Sequence, residues 1–136
     1  MIAVDTNVLV YAVDLYEPVK MQKAIALLQS LKGNSLIIPW QVAVEFLYRL
    51  RRWEQIGRIG RTETEQYLTR FVYSMPIVHP TISVLQQSLD LSGMHSLSHW
   101  DSILLAACNE AGVDTLHTED LTHGATYGSV KTLNPF

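Results

Sequence analysis

Residues 1–12, MIAVDTNVLVYA, set one carboxylate between two apolar runs. The stretch "IAVD" predicts a short buried strand that ends at Asp5. A charge in that setting either caps a helix starting near Val8 or holds something positive. Both readings stay open on these twelve residues alone.

Outward from this start, strand and helix signals alternate. "EPVKMQKAIALLQSLKG" has Pro18 at a helix start, apolar residues at 21, 24, 25, 28 and 31, and Gly33 as a stop. "SLII" predicts a second strand, and Pro39 opens a helix whose Ala43, Phe46, Leu47 and Leu50 share one stripe. "TETEQYLTRFVYSM" predicts a further helix, with Thr62 and Glu65 spaced as a capping box. "PIV" is a third strand candidate, followed by a helix from Thr81 to about Gly93. "HWDSILLAACNEAG" is strongly helical and closed by Gly112. "DTLH" predicts a fourth strand, and a loop-rich tail has a last strand near "SVKTL". Such alternation implies a three-layer α/β/α sandwich around a mostly parallel sheet. Residues 1–136 form one domain without linker or repeat.

Composition narrows the class. With 48% apolar and 17% charged residues the chain is not disordered. Its only cysteine, Cys108, lies in an apolar run, which predicts a buried thiol in a reducing compartment and excludes a disulfide within the chain. No basic-then-apolar leader precedes Asp5, and no apolar run reaches the ~20 residues that span a bilayer. The expectation is a cytoplasmic protein without a membrane partner. A net charge of −3 does not advertise nucleic-acid binding, yet five of the ten basic residues (Arg49, Arg51, Arg52, Arg58 and Arg61) crowd into thirteen positions around Trp53. That run is either a solvated helix face or a phosphate-contacting patch.

In open α/β sheets ligands bind beyond the carboxyl ends of the strands. Two predicted strands end in acids, at Asp5 and at Glu119–Asp120, and parallel strands bring those ends to one edge. Glu45 and Asp101 stand out because their surroundings are apolar. Clustered carboxylates repel one another, and a divalent cation relieves the repulsion. Oxygen donors without a histidine or cysteine set favour Mg²⁺ or Mn²⁺ over zinc. Each acid also has a structural alternative. Asp5 could cap a helix, Glu45 could pair with Arg49 one turn on, Asp101 stands at capping-box distance from Ser98, and Asp120 could close a turn with Thr118. His117 and His123 have no partner at metal-ligand spacing, and His99 fits a helix start. Ser102 and Cys108 lack a base and read as packing residues.

"VDTNVLVYA", "VAVEFLYRL", "HWDSILLAA" and "LHTEDLTHG" together resemble the spaced acidic motifs of PIN-domain ribonucleases, and among them VapC-type toxins of bacterial toxin–antitoxin pairs. The likeness covers nearly the whole chain. It implies metal-dependent hydrolysis of RNA phosphodiester bonds by one or two Mg²⁺ or Mn²⁺ ions. On that likeness Asp5, Glu45, Asp101 and Asp120 are the catalytic and metal-site acids, with Glu119 the alternative to Asp120. Thr6, Asn7 and Thr118 would orient them or the substrate, and Arg49, Arg51 and Arg52 are the candidates for RNA contact. A small antitoxin and a homodimer are the implied partners, with contact surfaces at "VKMQKAIALLQSL" and "TETEQYLTRFVY". Two other readings compete. A phospho-aspartate enzyme would want a second Asp two residues after Asp5, where this chain has Asn7. A catalytically silent PIN-like module would bind RNA or protein without cutting.

Overall fold

The sheet is built outward from β1 (Ile2–Val4), whose Ala3 and Val4 are wholly buried. In the computed structural model, which describes residues 1–136, β1 pairs in parallel with β2 (Leu36–Pro39) on one side and β4 (Thr115–His117) on the other. Strand β3 (Ile77–Val78) extends the sheet beyond β2, and β6 (Val130–Leu133) extends it beyond β4, both in parallel. A short β5 (Thr126–Tyr127) closes the far edge antiparallel to β6, giving the order β3-β2-β1-β4-β6-β5. Strands β1 (IAV) and β2 (LIIP) read as unbroken apolar runs because a parallel sheet is covered on both faces.

Six α-helices supply that cover: α1 (Thr6–Tyr11), α2 (Pro18–Ser30), α3 (Trp40–Gln55), α4 (Arg61–Leu68), α5 (Ser83–Met94) and α6 (His99–Glu110). Helix α1 packs on both α2 and α3, α3 packs on α4, and α5 packs on α6. The expected α/β sandwich with a mostly parallel sheet is what the chain adopts. No helix is long and apolar enough to cross a membrane.

The topology matters for function. The chain runs outward from β1 through β2 to β3, then returns to place β4 on the other side of β1. The crevice of such a sheet lies where the strand order reverses, between the ends of β1 and β4. Register Val4↔His117 sets Asp5 beside Thr118, and the Asp5 amide donates to His117 O at 2.9 Å.

Four local expectations shift. Helix α1 begins at Thr6 rather than near Val8, because the Asp5 side chain accepts from the Thr6 amide and starts the helix at once. The capping box of α4 is not Thr62 with Glu65. The helix begins at Arg61, so Gly60 is the N-cap and Glu63 accepts from its amide at 3.0 Å. Past Leu68 the helix widens into a π-helical turn, Thr69–Tyr73, where Phe71 is buried and meets Phe46 edge-on. The tail is more ordered than its loop-rich composition predicts. Asn109 of α6 accepts from the Ser129 amide at 2.7 Å and donates to Tyr127 O at 3.1 Å, which pins the β5–β6 turn.

Candidate active site

A cavity of about 900 Å³ opens at the crevice, with Asp5, Glu45, Glu119 and Asp120 in its wall. Four acids from three separate regions of sequence therefore share one space. Asp5 is the buried one, and it does two jobs. Its Oδ1 accepts from the Thr6 amide at 2.6 Å and so caps α1, while Oδ2 accepts from Thr118 Oγ1 at 2.7 Å. The two sequence readings of Asp5 are thus compatible.

Glu45 comes from the second turn of α3. Its carboxylate accepts from Thr6 Oγ1 at 3.1 Å and from Gln41 Nε2 at 2.8 Å. Gln41 also donates to Trp100 O at 3.2 Å, which ties α3 to the start of α6. The alternative pairing of Glu45 with Arg49 does not form, since neither residue is in any of the four ion pairs. Asn7 Nδ2 donates to Asp120 Oδ2 at 3.0 Å and lies 3.4 Å from both Asp5 Oδ2 and Thr118 Oγ1. Thr118 is wholly buried, donates to Asp5 and accepts from the Asp120 amide at 3.1 Å, so the Thr118–Asp120 turn forms as well.

Glu119 and Asp120 point apart, and their partners separate them. Glu119 accepts from Tyr11 Oη and Lys20 Nζ, each at 2.7 Å. Asp120 faces Asn7 and carries no cation. Asp101 is placed differently from the other acids. It sits in the first turn of α6, where its amide donates to Ser98 Oγ at 3.1 Å and its Oδ2 accepts from the same hydroxyl at 2.7 Å. Its neighbours Trp100 and Ile103 line the cavity, while Asp101 itself does not.

Electrostatics follow from burial. Removal from water is the largest cause that pushes the Asp5 carboxyl up from 3.8 to about 6, and the charges of Asp120 and Glu45 add to it. The bonds from Thr118 and Thr6 oppose the rise. Two further oxygens in the same wall, Asn7 Oδ1 and Gln41 Oε1, are buried without a hydrogen-bond partner. Neither amide can be turned over without setting its oxygen against a carboxylate, so both oxygens are left as free acceptors.

An oxygen-only donor set with two orphaned acceptors and a buried, desolvated carboxylate fits a hard divalent cation such as Mg²⁺ or Mn²⁺. The cage is not closed in this arrangement: no three acidic, histidine or cysteine side chains stand close enough together to hold one ion. Thr6, Asn7, Gln41 and Thr118 hold the carboxylates instead.

The basic patch divides. Arg49 lines the cavity. Arg51 and Arg52 are exposed on α3 outside it, with Arg52 reaching only Gln55. Arg58 is structural: it pairs with Asp14 and stacks 4.0 Å from the ring centroids of both Tyr16 and Trp53. Arg61 pairs with Glu54 at 3.2 Å. Cys108 is buried, and desolvation pushes its thiol up to about 12, in keeping with a packing role. Ser102 donates to His99 O at 2.8 Å, His123 accepts from the Asn134 amide at 3.0 Å, and burial lowers the pKa of His117. Sequence reasoning missed Gln41, Tyr11 and Lys20. Gln41 stands four residues before Glu45 and Tyr11 four after Asn7, a helical spacing that puts each on the same face as its acid or amide.

Comparison with known proteins places this arrangement. No curated protein matches the sequence. Among solved structures, a toxin–antitoxin complex from Klebsiella pneumoniae aligns over 100% of this chain and 98% of its own at 18% identity and a TM-score of 0.72. VapBC2 from Rickettsia felis, bound to a promoter DNA fragment, aligns over 98% of both chains at 17% identity and a TM-score of 0.72. VapC20 of Mycobacterium tuberculosis, a sarcin–ricin loop cleaving toxin, aligns over 85% of this chain and 87% of its own at 19% identity and a TM-score of 0.64. At such identities the likeness is one of fold. The family model for the PIN domain matches residues 2–127, spanning every acid of the crevice. With its sheet order, its crevice and this match in hand, the chain belongs to the PIN-domain family.

Proposed function

We propose that this chain is a Mg²⁺- or Mn²⁺-dependent endoribonuclease and the toxin of a toxin–antitoxin pair. The observation that carries the reading is that Asp5, Glu45 and Asp120 line one cavity at the switch point of the sheet, bridged by Thr6, Asn7 and Thr118. Family membership and neighbours described as toxins, one of them cleaving RNA, support it.

Asp5 with Asp120 or Glu45 would hold the cation, with Asn7 Oδ1 and Gln41 Oε1 as neutral oxygens at its edge. Asp101 is the outlying fourth acid, assigned by its motif, with its carboxylate held by Ser98. When bound, a hard divalent cation supplies activation of a water and neutralisation of charge on phosphate oxygens. The protein's own share is orientation. Thr118 and the Thr6 amide fix Asp5, Thr6 Oγ1 and Gln41 fix Glu45, and Asn7 fixes Asp120. Second partners of this kind hold the donors in one geometry, so little is lost to reorganisation as the substrate binds. No covalent nucleophile is required.

An antitoxin fits the same face. Trp40, Val44 and Tyr48 of α3 and Trp100 of α6 are exposed large side chains in or beside the cavity wall, and the acids within it suit an incoming basic side chain. Further exposed apolar residues, Ile82 just before α5 and Leu85 and Leu89 along it, are the proposed homodimer surface. Helices α2 and α4, expected to supply these contacts, keep few large apolar side chains exposed: Val19 on α2, and Tyr73 in the turn after α4.

The alternative, a PIN-like module that binds without cutting, draws on one observation, the absence of three acids within reach of a single ion. Cleavage of total RNA with Mn²⁺, with Asp5→Asn as control, separates the two. Metal-dependent cleavage that disappears in the variant supports the nuclease, and equal activity in both proteins would exclude it.

A further inference from the structure

Arg49 is the only basic residue among those lining the cavity, which otherwise carries four carboxylates. A polyanionic strand entering such a space needs fixed positive charge at more than one point. Lys20 of α2 stands directly behind two residues of the wall. Its Nζ lies 2.7 Å from Glu119 Oε2 and 3.0 Å from Tyr11 Oη, and Tyr11 Oη donates in turn to Glu119 Oε1 at 2.7 Å. The ammonium also sits 4.4 Å from the centroid of the Tyr11 ring and 5.6 Å from that of Phe136.

This closed triangle fixes a lysine that would otherwise swing on a flexible stem. An ammonium has three N–H donors, and two are used by Glu119 and Tyr11. The third has no acceptor in the protein, and the side chain is 35% exposed. Glu119 and Tyr11 also keep the group charged, raising its pKa above the ordinary value. A pre-positioned cation with one free donor loses little further conformational freedom when a ligand arrives.

We infer that Lys20, oriented by Tyr11 and Glu119 of the cavity wall, contacts a phosphodiester of the RNA strand next to the one that is cut. The inference rests on the ribonuclease reading above. Lysine serves phosphate as a point charge and needs no bidentate geometry, which suits a group held by one carboxylate and one phenol. Glu119 then has a role distinct from Asp120: it holds the cation instead of joining the acids.

The test is the salt dependence of RNA binding. A short fluorescein-labelled single-stranded RNA of mixed sequence is titrated by fluorescence anisotropy in an Asp5→Asn background, which keeps the strand intact. Lys20→Met is expected to weaken binding about threefold and to reduce the slope of log affinity against log salt by about 0.7, the share of one phosphate contact on a single strand. Lys20→Arg should restore both. The same comparison is made in a Glu119→Gln background, where loss of Lys20 leaves no unpaired carboxylate and the fold is retained. An unchanged slope in the folded Lys20→Met protein, in either background, overturns the inference while leaving the ribonuclease reading intact. A parent protein that neither binds nor, as wild type with Mn²⁺, cuts RNA overturns both.

Discussion

Asp5→Asn should make the metal-free protein more stable near neutral pH, although it removes a residue central to the proposed site. Burial pushes the Asp5 carboxyl up from 3.8 to about 6, so the folded state binds its proton more tightly than the unfolded state. The sign follows directly. With a raised carboxyl pKa, stability is greatest below ~3.8 and falls as pH rises through about 6. Above that, the ionised group weakens the fold by about 3 kcal/mol. Asparagine removes the charge and keeps an acceptor for the Thr6 amide, but its NH₂ group takes the place of the oxygen that accepts from Thr118 Oγ1 and faces Asn7 Nδ2, at a cost of about 1 kcal/mol. The net gain is about 2 kcal/mol, or roughly 6–8 °C in Tm. Urea denaturation with a chelator present, near neutral pH and again at pH ~4, measures it. The gap should close at the lower pH, where wild-type Asp5 is largely protonated. Saturating Mn²⁺ should reverse the order, because a ligand at 100 times its Kd adds about 2.7 kcal/mol to wild type alone. A variant less stable than wild type by the same amount at both pH values, with or without Mn²⁺, would refute the reasoning.

Other outcomes follow from the same geometry. Thr118→Val removes the hydroxyl that donates to Asp5 and accepts from the Asp120 amide, and should weaken Mn²⁺ binding about 10–100-fold by calorimetry. Arg49→Ala should weaken RNA affinity and flatten its salt dependence, while Arg51→Ala, outside the cavity, should leave both unchanged in the same anisotropy assay. Arg58→Ala leaves Asp14 buried without its cation and unstacks Tyr16 and Trp53. It should lower unfolding free energy by about 3 kcal/mol while cleavage per folded molecule is unchanged.

Much of this architecture was legible because apolar runs of four or fewer residues alternate with longer helical stripes. "IAVD", "SLII" and "DTLH" read as short strands of a covered parallel sheet, and the pairing of the first with the last brings Asp5 to Thr118–Asp120. In the tail the strand near "SVKTL" was legible and is β6, but the β5–β6 turn was not, since it is held by Asn109, which lies nearly twenty residues earlier in the chain. The site shows the same division. Asp5 and Asp120 could be singled out as acids at strand ends and Glu45 as a charge in apolar surroundings, and all three line the cavity. Both adjacent acids line the cavity, and which of them is taken up by a lysine depends on where Lys20 and Asn7 stand, which the sequence does not reveal. Asp101 had two readings from sequence, and the bond to Ser98 realises the structural one while its motif continues to argue for the other. The arginine run looked uniform along the chain, yet helical geometry turns only Arg49 toward the cavity, and aromatic rings capture Arg58.

The central claim is that carboxylates remote in sequence grip one hard cation at the reversal of the sheet. Anomalous diffraction from a crystal soaked in Mn²⁺ tests it most directly. We expect a peak at coordination distance, about 2.0–2.4 Å, from oxygens of Asp5 and of Asp120 or Glu45. A well-ordered crystal with the ion elsewhere, or with none in the crevice at saturating Mn²⁺, would contradict the account.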